Sequence, residues 1–113
     1  MAENSGEHKP LTRLSWLAIG DETIALMPGV LTYNVAVEGS GDDMAMRAHL
    51  ITATPEEQGA TVSYSVTGGG MMVEDIDGYR LYVRNSGTGV LTITVSGEGR
   101  ESAYVINVTV TPQ

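Results

Sequence analysis

The sequence predicts an all-β fold, an antiparallel β-sandwich of seven to eight strands, and three observations carry that prediction. Val, Ile and Thr number thirty of the 113 residues, and their branched side chains suit a pleated, half-buried surface. Fourteen glycines and four prolines punctuate the chain, and no stretch of helical length places apolar residues at i, i+3, i+4 and i+7. Short alternating runs recur instead, separated by turn signals, which is the pattern of a sandwich. Alternation leaves each strand with one apolar face, so two sheets must meet to bury those faces.

The elements follow in order. Residues 1–10 are polar, carry Gly and Pro, and read as a flexible leader or linker; residues 11–113 read as one domain. Leu11 to Ile19 reads as an extended edge segment running into Gly20-Asp21. Pro28-Gly29 marks a turn. Tyr33, Val35 and Val37 then share one face, and Gly39-Ser40-Gly41-Asp42-Asp43 is a loop by composition. Met46 to Ala53 is a strand in which Leu50 and Ile51 are adjacent, so burying both requires a bulge. Val62, Tyr64 and Val66 alternate with Thr61, Ser63 and Ser65. Met71–Ile76 and Tyr79–Val83 flank Asp77-Gly78, the dipeptide of a two-residue type I′ hairpin loop. Asn85-Ser86-Gly87-Thr88-Gly89 reads as a turn. Leu91, Ile93 and Val95 form one face of the next strand, and Tyr104, Ile106, Val108 and Val110 one face of the last. The expected core is Leu14, Trp16, Tyr33, Val35, Val37, Ile51, Val62, Tyr64, Leu91, Ile93, Val95, Tyr104, Ile106, Val108 and Val110.

Composition removes several classes of role. The net charge is −8, which repels phosphate backbones and anionic bilayers, so no nucleic-acid partner is expected. No run is long and apolar enough to span a bilayer as a helix, and none is expected to insert. The first ten residues lack the apolar stretch of a secretory signal. There is no cysteine, hence no disulfide, no thiol nucleophile and no cysteine-based metal site.

Several segments together resemble a known family. Leu11-x-x-Leu14, Leu26-Met27-Pro28-Gly29-Val30 and Tyr33-x-Val35-x-Val37 resemble the opening of bacterial cadherin-like domains. Ile51-Thr52-Ala53-Thr54-Pro55, leading through Gly59-Ala60-Thr61-Val62, is similar as well. So are Gly89-x-Leu91-x-Ile93-x-Val95 and Tyr104-x-Ile106-x-Val108-x-Val110. The resemblance covers about residues 11–111 and implies an immunoglobulin-like sandwich, a module of secreted or cell-surface bacterial proteins without catalytic residues. Arg47 and His49 depart from it, standing where the family is apolar or small, and Met71 to Tyr82 is atypical.

The candidate chemistry is sparse. Glu74, Asp75 and Asp77 beside Gly78 offer oxygen ligands near a sharp turn and are the metal candidates. Counted from Asp75 or Glu74, the position requiring a bidentate Glu holds Ser86 or Asn85, and the acidic linker motifs of calcium-binding cadherins are missing. Asp42-Asp43 is a second acidic loop. Gly68-Gly69-Gly70 is followed by neither a Lys-Ser/Thr pair nor a helix, so it is no phosphate loop. A catalytic base would have to be His8, in the leader, or His49, mid-strand, which reads as structural. Tyr33 and Tyr104 read as core residues with a hydroxyl at the rim, and Tyr82 as the best exposed aromatic. Met44, Met46, Met71 and Met72 read as packing residues in preference to an adaptable patch. Asn107-Val108-Thr109 fits a glycosylation sequon, but lies mid-strand.

The expectation is a non-catalytic adhesion or spacer module of a bacterial surface or secreted protein, with no cofactor. Its partners would be neighbouring domains, or a protein or glycan surface. The alternatives are a free-standing phage virion protein bound to a capsid or tail lattice, and a carbohydrate-binding module.

Overall fold

The computed structural model describes residues 13–42 and 44–113. The leader, Leu11, His8 and Asp43 lie outside the described residues. Among the described residues there are nine strands and no helix: β1 (Leu14–Ile19), β2 (Glu22–Thr23), β3 (Thr32–Glu38), β4 (Arg47–Pro55), β5 (Thr61–Thr67), β6 (Met72–Asp75), β7 (Tyr79–Val83), β8 (Gly87–Gly97) and β9 (Arg100–Thr111). They form one sheet in the order β2-β1-β4-β7-β6 and another in the order β3-β9-β8-β5. Apart from the two-residue β2, this strand order is that of the immunoglobulin-like sandwich: β1-β4-β7-β6 is one sheet, β9-β8-β5 is the other, and β3 lies beside β9. The fold class is therefore the expected one. The ninth strand is β2, a two-residue return paired with Ala18 and Ile19.

One pairing departs from the antiparallel expectation. β3 pairs with β9 in parallel, from Thr32↔Val105 to Glu38↔Thr111. The chain leaves β2, crosses to the other sheet through residues 24–31, and so re-enters running in the direction of β1. Hydrogen bonds from Val105 N–H to the Leu31 carbonyl (2.7 Å) and from Gly39 N–H to the Thr111 carbonyl (2.8 Å) extend the ladder at both ends.

The core lies between the sheets. Leu17, Ile19, Leu81, Val83, Leu91, Ile93, Val95 and Ile106 are fully enclosed. Four expected core residues differ. Trp16 is 49% exposed, whereas Leu17 is completely buried, because a bulge shifts the β1–β4 register between Leu14 and Trp16. Two consecutive side chains, Ser15 and Trp16, thus face outward. Tyr33, Val62 and Tyr64 are only half-buried: Tyr33 sits at the rim, and β5 is the edge of its sheet. The core also takes in Leu17, Ile19, Ile24, Met71, Leu81 and Val83. No bulge buries both Leu50 and Ile51; Ile51 points inward and Leu50 is exposed.

The turns are tighter or longer than their composition suggests. Asp75↔Tyr79 is the last pair before the β6–β7 loop, so the loop holds Ile76-Asp77-Gly78, one residue more than Asp-Gly alone implies. Asp77 and Gly78 both take positive φ, as a type I′ geometry demands. β8 already begins at Gly87, which removes Gly87 to Gly89 from the expected turn. Gly69 has φ +64°, and a Cβ there would lie 2.6 Å from the Thr88 carbonyl oxygen. The glycine run is thus a backbone-to-backbone crossing.

Candidate functional site

The acidic candidates are placed around a turn. Glu74 stands opposite Arg80 and Asp75 opposite Tyr79. The Asp75 carboxylate accepts the Gly78 N–H at 3.2 Å, and the Arg80 guanidinium donates to the Ile76 carbonyl at 2.9 Å. These bonds close the hairpin. Among the described residues no group of three or more His, Asp or Glu side chains is placed to hold a metal ion. Asp42 belongs to a loop in which its own carboxylate accepts the Met44 N–H at 2.8 Å.

The aromatics and methionines do not converge. Tyr33 donates to the Val30 carbonyl (2.8 Å) and accepts from Met27 N–H (2.9 Å). The buried Tyr104 accepts the Leu14 N–H at 2.9 Å. Tyr33 thus has the rim hydroxyl expected of it, whereas the Tyr104 hydroxyl makes its bond in the interior. Tyr82 is half-buried, and Trp16 and Tyr79 are the exposed rings, because the bulge in β1 turns Trp16 outward. Tyr79 stacks on Tyr64, with ring centroids 4.3 Å apart. Burial of Tyr64, then the neighbouring Tyr79 and Asp75, push its phenol above the usual tyrosine value. Met71 is in the core, Met72 faces out, and Met44 is almost fully exposed at a loop. Asn107 lies in β9 and donates to the Asn34 side-chain oxygen at 3.1 Å.

His49 takes part in a polar joint that sequence reasoning did not assemble. It is only 8% exposed and faces the opposite sheet from β4. Its Nε2 lies 2.8 Å from the Glu38 carbonyl at the end of β3; a carbonyl can only accept, so Nε2 carries the proton. Arg47, two residues earlier, reaches the same segment. Its Nη2 is 3.0 Å from the Glu38 carboxylate, and its Nη1 donates to the Gly39 carbonyl at 3.4 Å. A cavity of about 210 Å³ lies beside them, lined in part by Asp21, Glu22, Glu38, Arg47 and His49. Its lining contains no Ser, Thr or Cys, so His49 has no nucleophile to activate there. Arg47 and His49 thus act together: both cross from β4 to fasten the end of β3.

Asn85 completes that end of the sandwich. Its side-chain oxygen accepts N–H groups from Gly41 (2.8 Å) and Gln113 (2.9 Å). The last described residue is therefore tied to two loops. At the opposite end, Leu14 is bonded to Tyr104 and the Arg13 carbonyl accepts the Glu56 N–H at 2.7 Å. The strand from Tyr104 to the C-terminus separates these two anchorages by about 30 Å at roughly 3.3 Å per residue. The sequence signal for the joint was the pair of polar residues on an inward-and-outward strand. Nothing in the sequence paired them with Glu38 or Asn85, since those contacts span different strands.

No family model matches the chain, and no curated protein matches it. Among solved structures the chain is similar to a chimeric titin Z1Z2 carrying an exogenous KLER peptide from decorin. The two are 11% identical, the match covers 89% of this chain and 99% of that one, and the TM-score is 0.34.

Proposed function

We propose that this domain is a non-catalytic spacer or adhesion module, cadherin-like in kind, within a larger bacterial surface or secreted protein. Its partners are then the domains on either side. The observation that supports this reading is the disposition of the two ends. The described chain begins at one end of the sandwich and leaves at the other, and β3 and β9 run parallel between them. A pull along that axis loads the β3–β9 bonds together in shear, where an antiparallel hairpin pulled open would lose them one at a time. Arg47 and His49 fasten the end of β3 to β4, and so carry load from β9 into the other sheet.

Single-molecule extension of a tandem repeat tests the mechanical part. Each domain is expected to unfold in one step, lengthening by roughly 300 Å at about 3.5 Å per residue. The Val37→Pro variant, which removes a donor to β9, should yield at a clearly lower force. Equal forces for the two proteins would overturn the shear argument. The surface context is tested by fractionation with an antibody to the domain. A band well above 12.0 kDa in the envelope or medium is expected; a soluble band at that mass would remove this reading.

A further inference from the structure

We infer that the free edge of β5 is an interface for a second copy of this chain, the two β5 strands pairing antiparallel about a two-fold axis at Tyr64. This goes beyond the end-to-end role proposed above, because it joins molecules side by side. Backbone, sequence and charge each carry part of it.

The first is the direction of the open backbone groups. Among the described residues β5 is the last strand of its sheet, and the hydrogen-bond pattern fixes which of its residues face outward. The bonds at Val105 and Thr111 show that the odd residues of β9 face β3, so the even ones face β8. Their partners Gly87, Gly89, Leu91 and Ile93 are then turned toward β9. Val90, Thr92, Thr94 and Ser96 are left to bond β5, through Thr67, Ser65, Ser63 and Thr61. The N–H and C=O groups of Val62, Tyr64 and Val66 consequently point away from the sheet.

The second is the sequence of the strand. Thr61-Val62-Ser63-Tyr64-Ser65-Val66-Thr67 reads the same in both directions. A two-fold contact requires that if residue i meets residue j, then j meets i. Antiparallel pairing about Tyr64 satisfies this with like residues throughout: Tyr64 meets Tyr64, Val62 meets Val66, Ser63 meets Ser65 and Thr61 meets Thr67. The centre falls on a residue whose backbone groups are open, so the three outward residues supply about six main-chain hydrogen bonds, two per facing pair. Ser63 and Ser65 fall at the closer, non-bonded positions, where hydroxyls interact across strands.

The third is charge. A chain of net charge −8 repels its copy, and a two-fold contact sets like charges against each other. β5 and the outward residues beside it, Thr92, Thr94 and Ser96, carry no charge. Exposed edges are commonly guarded by Lys, Pro or a bulge; β5 has none of these, and its register with β8 is unbroken. Acids flank it, with Asp75 near the Tyr64 ring and Glu98 two residues past Ser96, so pairing is expected to tighten as salt screens them.

Sedimentation velocity of the wild-type chain, from about 10 μM to about 1 mM, should show a rise from the 12.0 kDa monomer toward twice that mass. Two double variants then read the register, both at exposed positions, with circular dichroism confirming that each folds. In S63K/S65K, every introduced cation faces another across the axis, and dimerisation should weaken at least about tenfold. In S63K/S65E, each cation faces an anion, and the dimer should persist. A wild-type monomer at every concentration would overturn the proposal. So would S63K/S65K dimerising as tightly as wild type, or both variants losing the dimer alike.

Discussion

The β8–β9 pair and the β1–β4 pair are neighbours across the core, yet they are built differently. β8 and β9 pair without interruption from Gly87↔Val110 to Gly97↔Arg100. Buried side chains alternate along both, from Leu91 to Val95 and from Tyr104 to Val110. β1 meets β4 through a bulge that sends Ser15 and Trp16 outward together, and β4 turns a histidine into the interior. The regular pair supplies a continuous apolar wall. The irregular pair gives up some of that wall and in return places polar groups where the sheets must be fastened at their ends. An inward-facing residue with a polar atom is what connects a strand to the opposite sheet, as His49 does from β4 and the Tyr104 hydroxyl does from β9.

The contrast can be broken first in the regular half. Ile93→Ala and Ile106→Ala each open a cavity at a completely buried position, and each should cost about 2–5 kcal/mol in a urea melt. Values below about 1 kcal/mol for both would contradict the packing described. In the irregular half the bulge makes an asymmetric forecast. Leu17→Ala should also cost about 2–5 kcal/mol, whereas Trp16→Ala should cost about 1 kcal/mol or less, its ring being half in solvent. The reverse ranking would mean that β1 keeps simple alternation.

Smaller effects sharpen the account of the polar joint. His49→Leu fills the buried position with an apolar group but leaves the Glu38 carbonyl without its donor; a loss of about 1–3 kcal/mol is expected. His49→Gln, which can still donate, should recover part of that loss. Arg47→Ala should change equilibrium stability by about 1 kcal/mol at most, because both partners of its ion pair are substantially exposed. If Arg47 and His49 act as one fastening, the double variant should differ from the sum of the single ones, a coupling read from a double-mutant cycle in the same melts.

The two halves were also unequally legible. Leu91, Ile93, Val95, Tyr104, Ile106, Val108 and Val110 were placed on their buried face from alternation alone, since period-two patterning in a long strand admits one register. Val35 and Val37 were placed for the same reason. Alternation from Leu14 selects Trp16 over Leu17, because a one-residue bulge inverts every later assignment in a short strand and no residue type announces it. Val62 and Tyr64 alternate as cleanly as any core residue, yet are half-buried because β5 ends its sheet, which depends on strand order. The candidate acids Glu74, Asp75 and Asp77 were recognised as a turn, and one extra loop residue was hidden by the Asp-Gly signal. His49 was read as structural, but its partner was not visible, since Glu38 contributes a backbone carbonyl that any residue would carry.

The sequence by itself determined the class of fold, the positions of most strands and the apolar wall of β8 and β9, because these depend on local conformational preference and on a short hydrophobic period. Only the tertiary structure decided that β3 runs parallel to β9, that β5 is an edge and that Arg47, His49, Glu38 and Asn85 gather at one end. Those features arise from the path the chain takes between sheets. Many of the hydrogen bonds along that path engage main-chain groups, which every residue but proline offers alike.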